Sequence, residues 1–388
     1  MIMFNKIKDK LKFKLAKVLA PEIDKKLAVD EKISSVSLYG IAPWYQENLW
    51  EPPVQIVLRD LCKPGDIVFD VGANFAGLTT VMSRLVGPRG VVCAFEASPR
   101  IIDKTQRNLV LSGCNNVQLF HHAVYSTSHE TVKIYLGSHL NDSIYSENGV
   151  GSAYEVKTIA LDDFVEHTKL VPNLLKMDIE GAEFDAIKGL EKTLVSAKPH
   201  LILETQRDDT RCLDFLRNLG YVAIDVNTYR EIKTADDYPV GADIRNNLYI
   251  HGDRLGETPY QVPFQFESHS LLDADHFERS KDGSARLKSK LILPKGRYLI
   301  DWDFTAEGTQ NDLMCGVKVN DKVIFRYHAF SQLLASSYRD WVINLPETSE
   351  IQLYFEFQHG TQDPTLTINS AKITKIANFD HLPAALYF

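Results

Sequence analysis

Three different rhythms of apolar and polar positions divide the chain. In residues 1–30, Phe4, Ile7, Leu11, Leu15 and Val18 recur at steps of three and four, which predicts one face of a helix. Lys6, Lys8, Lys10, Lys12, Lys14 and Lys17 surround that face, and Asp9 is the only acid before Glu22. Such a basic amphipathic helix can lie on an anionic membrane surface, or dock on its own protein or on a second subunit of a homo-oligomer; the pattern leaves both open. From residue 51 short apolar runs alternate with helical stretches. Ile67–Val71, Val91–Glu96, Val117–His122, Leu174–Asp178, Leu201–Thr205, Tyr221–Val226 and Leu248–His251 are the strand candidates. Strands that are apolar throughout and separated by helices predict a mostly parallel sheet covered on both faces. An extended pair, Val132–Leu136 and Tyr154–Thr158, interrupts the alternation, with a polar loop between them.

Near residue 255 the helical periods vanish. Strand-like runs follow at Ala285–Leu293, Gly296–Phe304, Met314–Val319, Lys322–Tyr327, Asp340–Leu345, Ile351–Phe357 and Leu366–Ile376, with turn signals at Pro294-Lys295-Gly296 and Asn320-Asp321. The expected architecture is α/β: a doubly wound, mostly parallel, seven-stranded Rossmann-like sheet over 51–254, followed by an all-β jelly-roll sandwich over 255–388. Residues 1–50 form the N-terminal helix and a lead-in segment, in which Trp44, Tyr45 and Trp50 are read as packing aromatics or as a cover for substrate.

Composition narrows the partners. With 388 residues, 44% hydrophobic and 24% charged, the chain has the make-up of an ordinary globular protein. Its net charge of −8 argues against nucleic acid as a partner, which would call for a basic stripe. Five widely spaced cysteines, with no CxxC pair, suggest neither a zinc site nor a disulfide framework. No run of eighteen apolar residues and no secretion-signal pattern occurs, so the expected location is cytoplasmic, with peripheral contact at the inner membrane face if the N-terminal helix binds lipid.

The candidate chemistry sits where strands end. Asp70-Val71-Gly72-Ala73-Asn74-Phe75-Ala76-Gly77 closes the first strand and opens a helix, and ligands of doubly wound sheets bind at such turns. A dinucleotide loop needs GxGxxG, but Asn74 replaces the second glycine; a phosphate loop fails because Leu78 follows Gly77. The turn therefore suits a nucleoside cofactor without a phosphate chain. Glu96, at the end of the next strand, has the acceptors to hold two ribose hydroxyls. Lys176-Met177-Asp178-Ile179-Glu180-Gly181-Ala182-Glu183 again puts charge at the ligand edge, with Glu183 read as complementing a helix dipole.

DVGANFAGLTT, AFEASP and LLKMDIEGAEFDAIKGLE together resemble the FkbM family of S-adenosylmethionine-dependent methyltransferases over about residues 65–205. The resemblance implies a class I methyltransferase fold whose last strand is antiparallel, S-adenosylmethionine as cofactor, and transfer to hydroxyl oxygens of sugars or polyketides. It implies that Asp70, Gly72, Asn74 and Gly77 line the methionine end, that Glu96 holds the ribose, and that Ala123 and Val124 flank the adenine. Ala97 stands where the family often has proline. A glycan or sugar-containing acceptor is expected, with a non-sugar hydroxyl or a nicotinamide-dependent oxidoreductase as alternatives. A hydroxyl acceptor benefits from a positioned base. Asp178 is favoured, with Lys176 and Glu180 beside it; His121 and His122 are further candidates. No metal is assigned, although Asp178, Glu180 and Glu204 could instead hold a divalent cation. The C-terminal strands resemble carbohydrate-binding modules in rhythm, with Trp302, Tyr327 and Trp341 as candidate sugar-stacking residues.

Overall fold

The computed structural model describes residues 24–28, 33–37, 51–135, 153–238, 244–307, 313–329, 340–357, 365–377 and 379. The helical stripe from Phe4 to Val18 and the aromatics Trp44, Tyr45 and Trp50 lie outside them. Beyond that stripe, β1 (Asp24–Ala28) pairs antiparallel with β2 (Ile33–Ser37).

The α/β unit begins with α1 (Pro52–Leu61), whose prolines fall in the first turn, where a missing N–H costs no hydrogen bond. Then follow β3 (Ile67–Val71), α2 (Gly77–Val86), β4 (Val91–Phe95), α3 (Ile102–Leu111), β5 (Val117–Phe120) and β6 (Ala123–Val124). Next come β7 (Thr131–Tyr135), β8 (Ala153–Ile159), α4 (Leu161–Thr168), β9 (Leu174–Met177), α5 (Glu183–Lys188), α6 (Glu191–Ser196) and β10 (His200–Gln206). The unit ends with α7 (Arg211–Asn218), β11 (Tyr221–Asp225), β12 (Glu231–Ile232) and β13 (Ile244–His251). The main sheet runs β12-β11-β13-β10-β9-β3-β4-β5. β3, β4, β5, β9 and β10 are mutually parallel, whereas β13 runs antiparallel to β10 and β11. The sheet has eight strands rather than the expected seven, because the two-residue β12 adds an edge to β11. The interrupting pair forms its own sheet, β6-β8-β7.

Apolar runs form these strands because both faces are covered. Val68, Leu174, Ile202 and Leu248 face one core with α1 and α2; Phe69, Leu175, Leu201 and Tyr249 face a second core with α4 to α7. No helix among the described residues is long and apolar enough to cross a membrane.

The C-terminal unit comprises β14 (Phe266–Asp273), β15 (Phe277–Arg279), β16 (Ala285–Leu287), β17 (Leu291–Leu293) and β18 (Gly296–Glu307). It continues with β19 (Leu313–Val319), β20 (Lys322–Ala329), β21 (Asp340–Leu345), β22 (Ser349–Phe357) and β23 (Thr365–Ile376). One antiparallel sheet is ordered β14-β23-β18-β21; the other runs β15-β16-β22-β19-β20, with β17 also on β22. They share one apolar core. The run Ala285–Leu293, expected as one strand, is split in two, and β14 and β15 were not expected. Trp302 lies in the core against Phe355, so it is not a sugar-stacking surface residue. The side chains of Tyr327 and Trp341 lie outside the described residues.

The two units share a seam. Ile376, Val342 and Phe379 join the core that contains α1. Within it, Arg297 of β18 donates to both oxygens of Asp60 on α1, at 2.6 and 3.0 Å, and to the Tyr229 hydroxyl at 2.9 Å. Tyr260 donates to Asp60 at 2.7 Å, and the Arg297 guanidinium stacks on Phe379.

Candidate active site

Gly72 sets the geometry of the cleft. Its φ is +86°, and a Cβ there would stand 1.9 Å from the Asp178 carbonyl oxygen. The ends of β3 and β9 meet at this point, where the Asp178 amide donates to Val71 O at 3.0 Å. Only a glycine allows both the turn and that approach. The Gly72 and Ala73 amides then donate to Phe95 O of β4, at 2.9 and 3.0 Å. Asn74 and Ala76 continue the turn with positive φ, of 48° and 67°. α3 holds the turn from behind, with Thr105 donating to Asn74 O and Asn108 Nδ2 to Phe75 O.

Glu96 braces the opposite wall. Its Oε2 accepts from the Asn74 amide at 2.8 Å, and its Oε1 accepts from the Ser98 amide at 2.7 Å. The carboxylate is thus fixed by two backbone donors while bordering the cleft. Gly72, Asn74, Glu96, His122, Ala123, Val124, Asp178 and Glu180 all border this cleft, with Ile101 and Ile134 as apolar wall. Eight of the residues singled out in the sequence are therefore brought together.

Three others sit behind the wall. Asp70 is buried and accepts from the Thr79 hydroxyl at 2.5 Å, while its Oδ1 has no hydrogen-bond partner among the described residues. Burial pushes its carboxyl up, against the pull of Lys176. Gly77 is buried as the first residue of α2. Lys176 is buried beneath Asp178, with Nζ 3.2 Å from Oδ2. Burial alone would lower Lys176, but Asp178, Glu51, Asp70 and Glu204 surround it with negative charge and hold it above the usual lysine range.

Asp178 keeps 23% of its side chain exposed. Burial opposes its charge, but Lys176 and a hydrogen bond with Glu204 hold its carboxyl below the usual range. Burial and the neighbouring Asp178 push Glu204 well above its usual range. Glu183 accepts from the amides of Ile179 at 2.9 Å and Gly181 at 3.0 Å, so it stiffens the loop that presents Asp178 and Glu180. The cation reading of Asp178, Glu180 and Glu204 is not supported, because no group of three His, Cys, Asp or Glu side chains among the described residues converges as a metal site.

The histidines differ from expectation. β5 ends at Phe120, so His121 and His122 follow the strand that the apolar run Val117–His122 predicts through them. His121 lies against Ala97 O at 3.2 Å on the exposed side. His122 borders the cleft; its Nδ1 is buried without a partner among the described residues, and burial lowers its pKa, with His121 and His129 adding to the effect. Sequence reasoning missed Thr105 and Asn108, and it set Glu204 beside Asp178 only as a candidate cation ligand.

Residues 70–223 match the family model described as "Methyltransferase FkbM domain". Methyltransferase 1 of Beauveria bassiana is 29% identical over 147 positions, covering 32% of this chain and 58% of its own length. The chain thus spans little more than half of that curated relative. Among solved structures, Methyltransferase FkbM from Methylobacillus flagellatus is 18% identical, covers 48% of this chain and 44% of its own, and has a TM-score of 0.31. Fibrillarin from Aeropyrum pernix, solved with S-adenosyl-L-methionine, is 11% identical, covers 51% and 73%, and scores 0.32. The fold assignment stands on the strand order given above, not on these scores.

Proposed function

We propose, from the premise that residues 70–223 form an FkbM-type methyltransferase domain whose cofactor is S-adenosylmethionine, that the chain methylates a hydroxyl oxygen of a sugar or glycan. The observation that carries this reading is the Glu96 carboxylate fixed by the Asn74 and Ser98 amides at the edge of a cleft that also holds Asp178. The cleft residues fit the cofactor. The turn has Asn74 where a pyrophosphate would need glycine, and Asn74 Oδ1 and His122 Nδ1 are buried there without partners among the described residues. In this reading Glu96 takes the ribose hydroxyls, Gly72 and Asn74 border the methionine end, and Ala123 and Val124 flank the base. Asp70, Gly77 and Lys176 support the turn and the charge of Asp178 from behind.

When bound, the cofactor supplies a methyl group already activated on a sulfonium. The chain must then align an acceptor oxygen and keep water out. Asp178, held as an anion by Lys176, accepts the acceptor's hydroxyl hydrogen bond and takes up its proton. Glu180 stands at the same rim as a second contact for the acceptor. His122, kept neutral by burial, belongs by position to the base side of the cleft.

The sugar acceptor draws support from the C-terminal unit. Taking β15, β16 and β17 as one broken strand, we read its two sheets as a jelly roll, an architecture that lectin domains also use. Mass spectrometry of candidate glycans, after incubation of the full chain with isotopically labelled S-adenosylmethionine, tests the proposal. Labelled methyl ethers on sugar residues are expected. Label found only on a non-sugar hydroxyl would overturn the glycan assignment, and label on nitrogen or carbon would overturn O-methylation itself.

A further inference from the structure

We propose that His122 is the residue that recognises the base of the cofactor: its Nδ1 accepts a hydrogen from the exocyclic amine of the adenine and so selects an adenine nucleoside over other purines. The proposal rests on the cofactor reading above and adds to it a specificity residue. Four neighbouring strands, β9-β3-β4-β5, deliver the cleft residues in order along the sheet edge. Asp178 and Glu180 follow β9, Gly72 and Asn74 follow β3, Glu96 follows β4, and His122 follows β5. Neighbouring strands stand about 4.8 Å apart, so roughly 14 Å of sheet separates the ends of β9 and β5. With the ribose at Glu96 and the methyl group delivered beside Asp178, the base is left the far end, at His122.

That end suits a purine. Ala97, Ala123 and Ile134 pack on one another there, and Val124 borders the cleft beside them. Ile134 comes from β7, so the small sheet β6-β8-β7, which has no other part in the site, supplies a wall of the slot. A purine has apolar faces and a polar edge, and an apolar slot holds it selectively when one polar group meets that edge. His122 borders the slot with Nδ1 buried and without a hydrogen-bond partner among the described residues. A buried ring nitrogen left unpaired is costly, and a donor on the ligand removes that cost. Burial, with His121 and His129 nearby, holds the His122 pKa below the ordinary histidine value, so the ring is mainly neutral at pH 7 and can offer a lone pair. Glu96, Asp178 and Glu180 are the charged side chains that border the same cleft.

Calorimetry on the full chain compares S-adenosylhomocysteine, the demethylated cofactor, with its analogue carrying hydrogen in place of the 6-amino group. The analogue should bind about tenfold more weakly, since it leaves Nδ1 unpaired. In His122→Ala the two ligands should bind alike. His122→Asn, whose side-chain oxygen can take the place of Nδ1 as acceptor, should restore the preference. Nitrogen-15 spectra of the unsubstituted chain give a second reading: the Nδ1 resonance should be that of an unprotonated nitrogen and should move with S-adenosylhomocysteine but not with the analogue. Between pH 7 and 5 the affinity for S-adenosylhomocysteine should fall, because a protonated Nδ1 turns a hydrogen toward the amine. That fall should be absent from His122→Asn, which keeps His121, His129 and the three carboxylates in place. Equal affinity of the unsubstituted chain for both ligands, or an undiminished preference in His122→Ala, overturns the proposal and leaves the cofactor assignment standing. A chain that binds neither ligand overturns the cofactor assignment, and the proposal with it.

Discussion

At the scale of single residues, the site depends on groups whose tolerance to change is narrow. Gly72→Ala places a methyl carbon against the Asp178 carbonyl and asks alanine for a φ of +86°. It should abolish cofactor binding, measured by calorimetry, and lower the melting temperature, because two strand ends must separate. Glu96→Ala removes the acceptor of two backbone amides as well as the proposed ribose contact. S-adenosylmethionine affinity should fall by about 1–3 kcal/mol, the cost of leaving buried donors unpaired. His200, buried at the start of β10, has its pKa lowered to about 4, chiefly by burial. The unfolded chain takes up this proton near the ordinary value of 6.5, while the folded chain resists until about 4. The resulting stability is therefore complete above pH 6.5 and lost progressively toward pH 4, on the order of 3 kcal/mol in all. Urea unfolding between pH 4 and 7 should show this loss, and a slope unchanged in His200→Gln would refute the assignment. Gly72, Asn74 and Glu96 were legible in the sequence because a cofactor turn constrains both residue type and spacing. Asp70 and Lys176 were placed at the ligand by the same motifs, yet both sit one step inside their strand ends, buried in the wall behind the cleft.

Among elements, α3 does more than cover the sheet. Asn108 and Thr105 reach from its buried face to the carbonyls of Phe75 and Asn74 and so fix the turn that carries Gly72. Asn108→Ala should weaken cofactor binding several-fold with little change in far-ultraviolet circular dichroism; unchanged affinity would show that the turn holds its shape unaided. Apolar runs separated by helices located every parallel strand of the main sheet, since burial on both faces leaves few other readings. Ends were less legible. His121 and His122 continue an apolar run but follow Phe120, where pairing with β4 stops. β14 escaped notice because its residues are mostly exposed, with Leu272 its one buried side chain, and an edge strand needs no apolar alternation.

Across the whole molecule, the decisive contact lies between residues 237 positions apart, Asp60 and Arg297, each side chain at most 5% exposed. No local pattern announces such a partner, and the sequence accordingly reads as two independent units. Arg297→Met leaves the Asp60 charge buried with only the Tyr260 hydroxyl, and should destabilise the chain by about 3–5 kcal/mol in urea unfolding. Asp60→Leu added to it should recover most of the loss, since matched apolar groups can replace a buried ion pair. A double variant no more stable than the single one would contradict this account. For anyone cutting the gene, the shift of rhythm near residue 255 is a misleading place for the scissors. An α/β half released there would carry an orphaned carboxylate on α1 and the raw apolar patch that Val342, Ile376 and Phe379 now cover, and it would be prone to clump until both were redesigned.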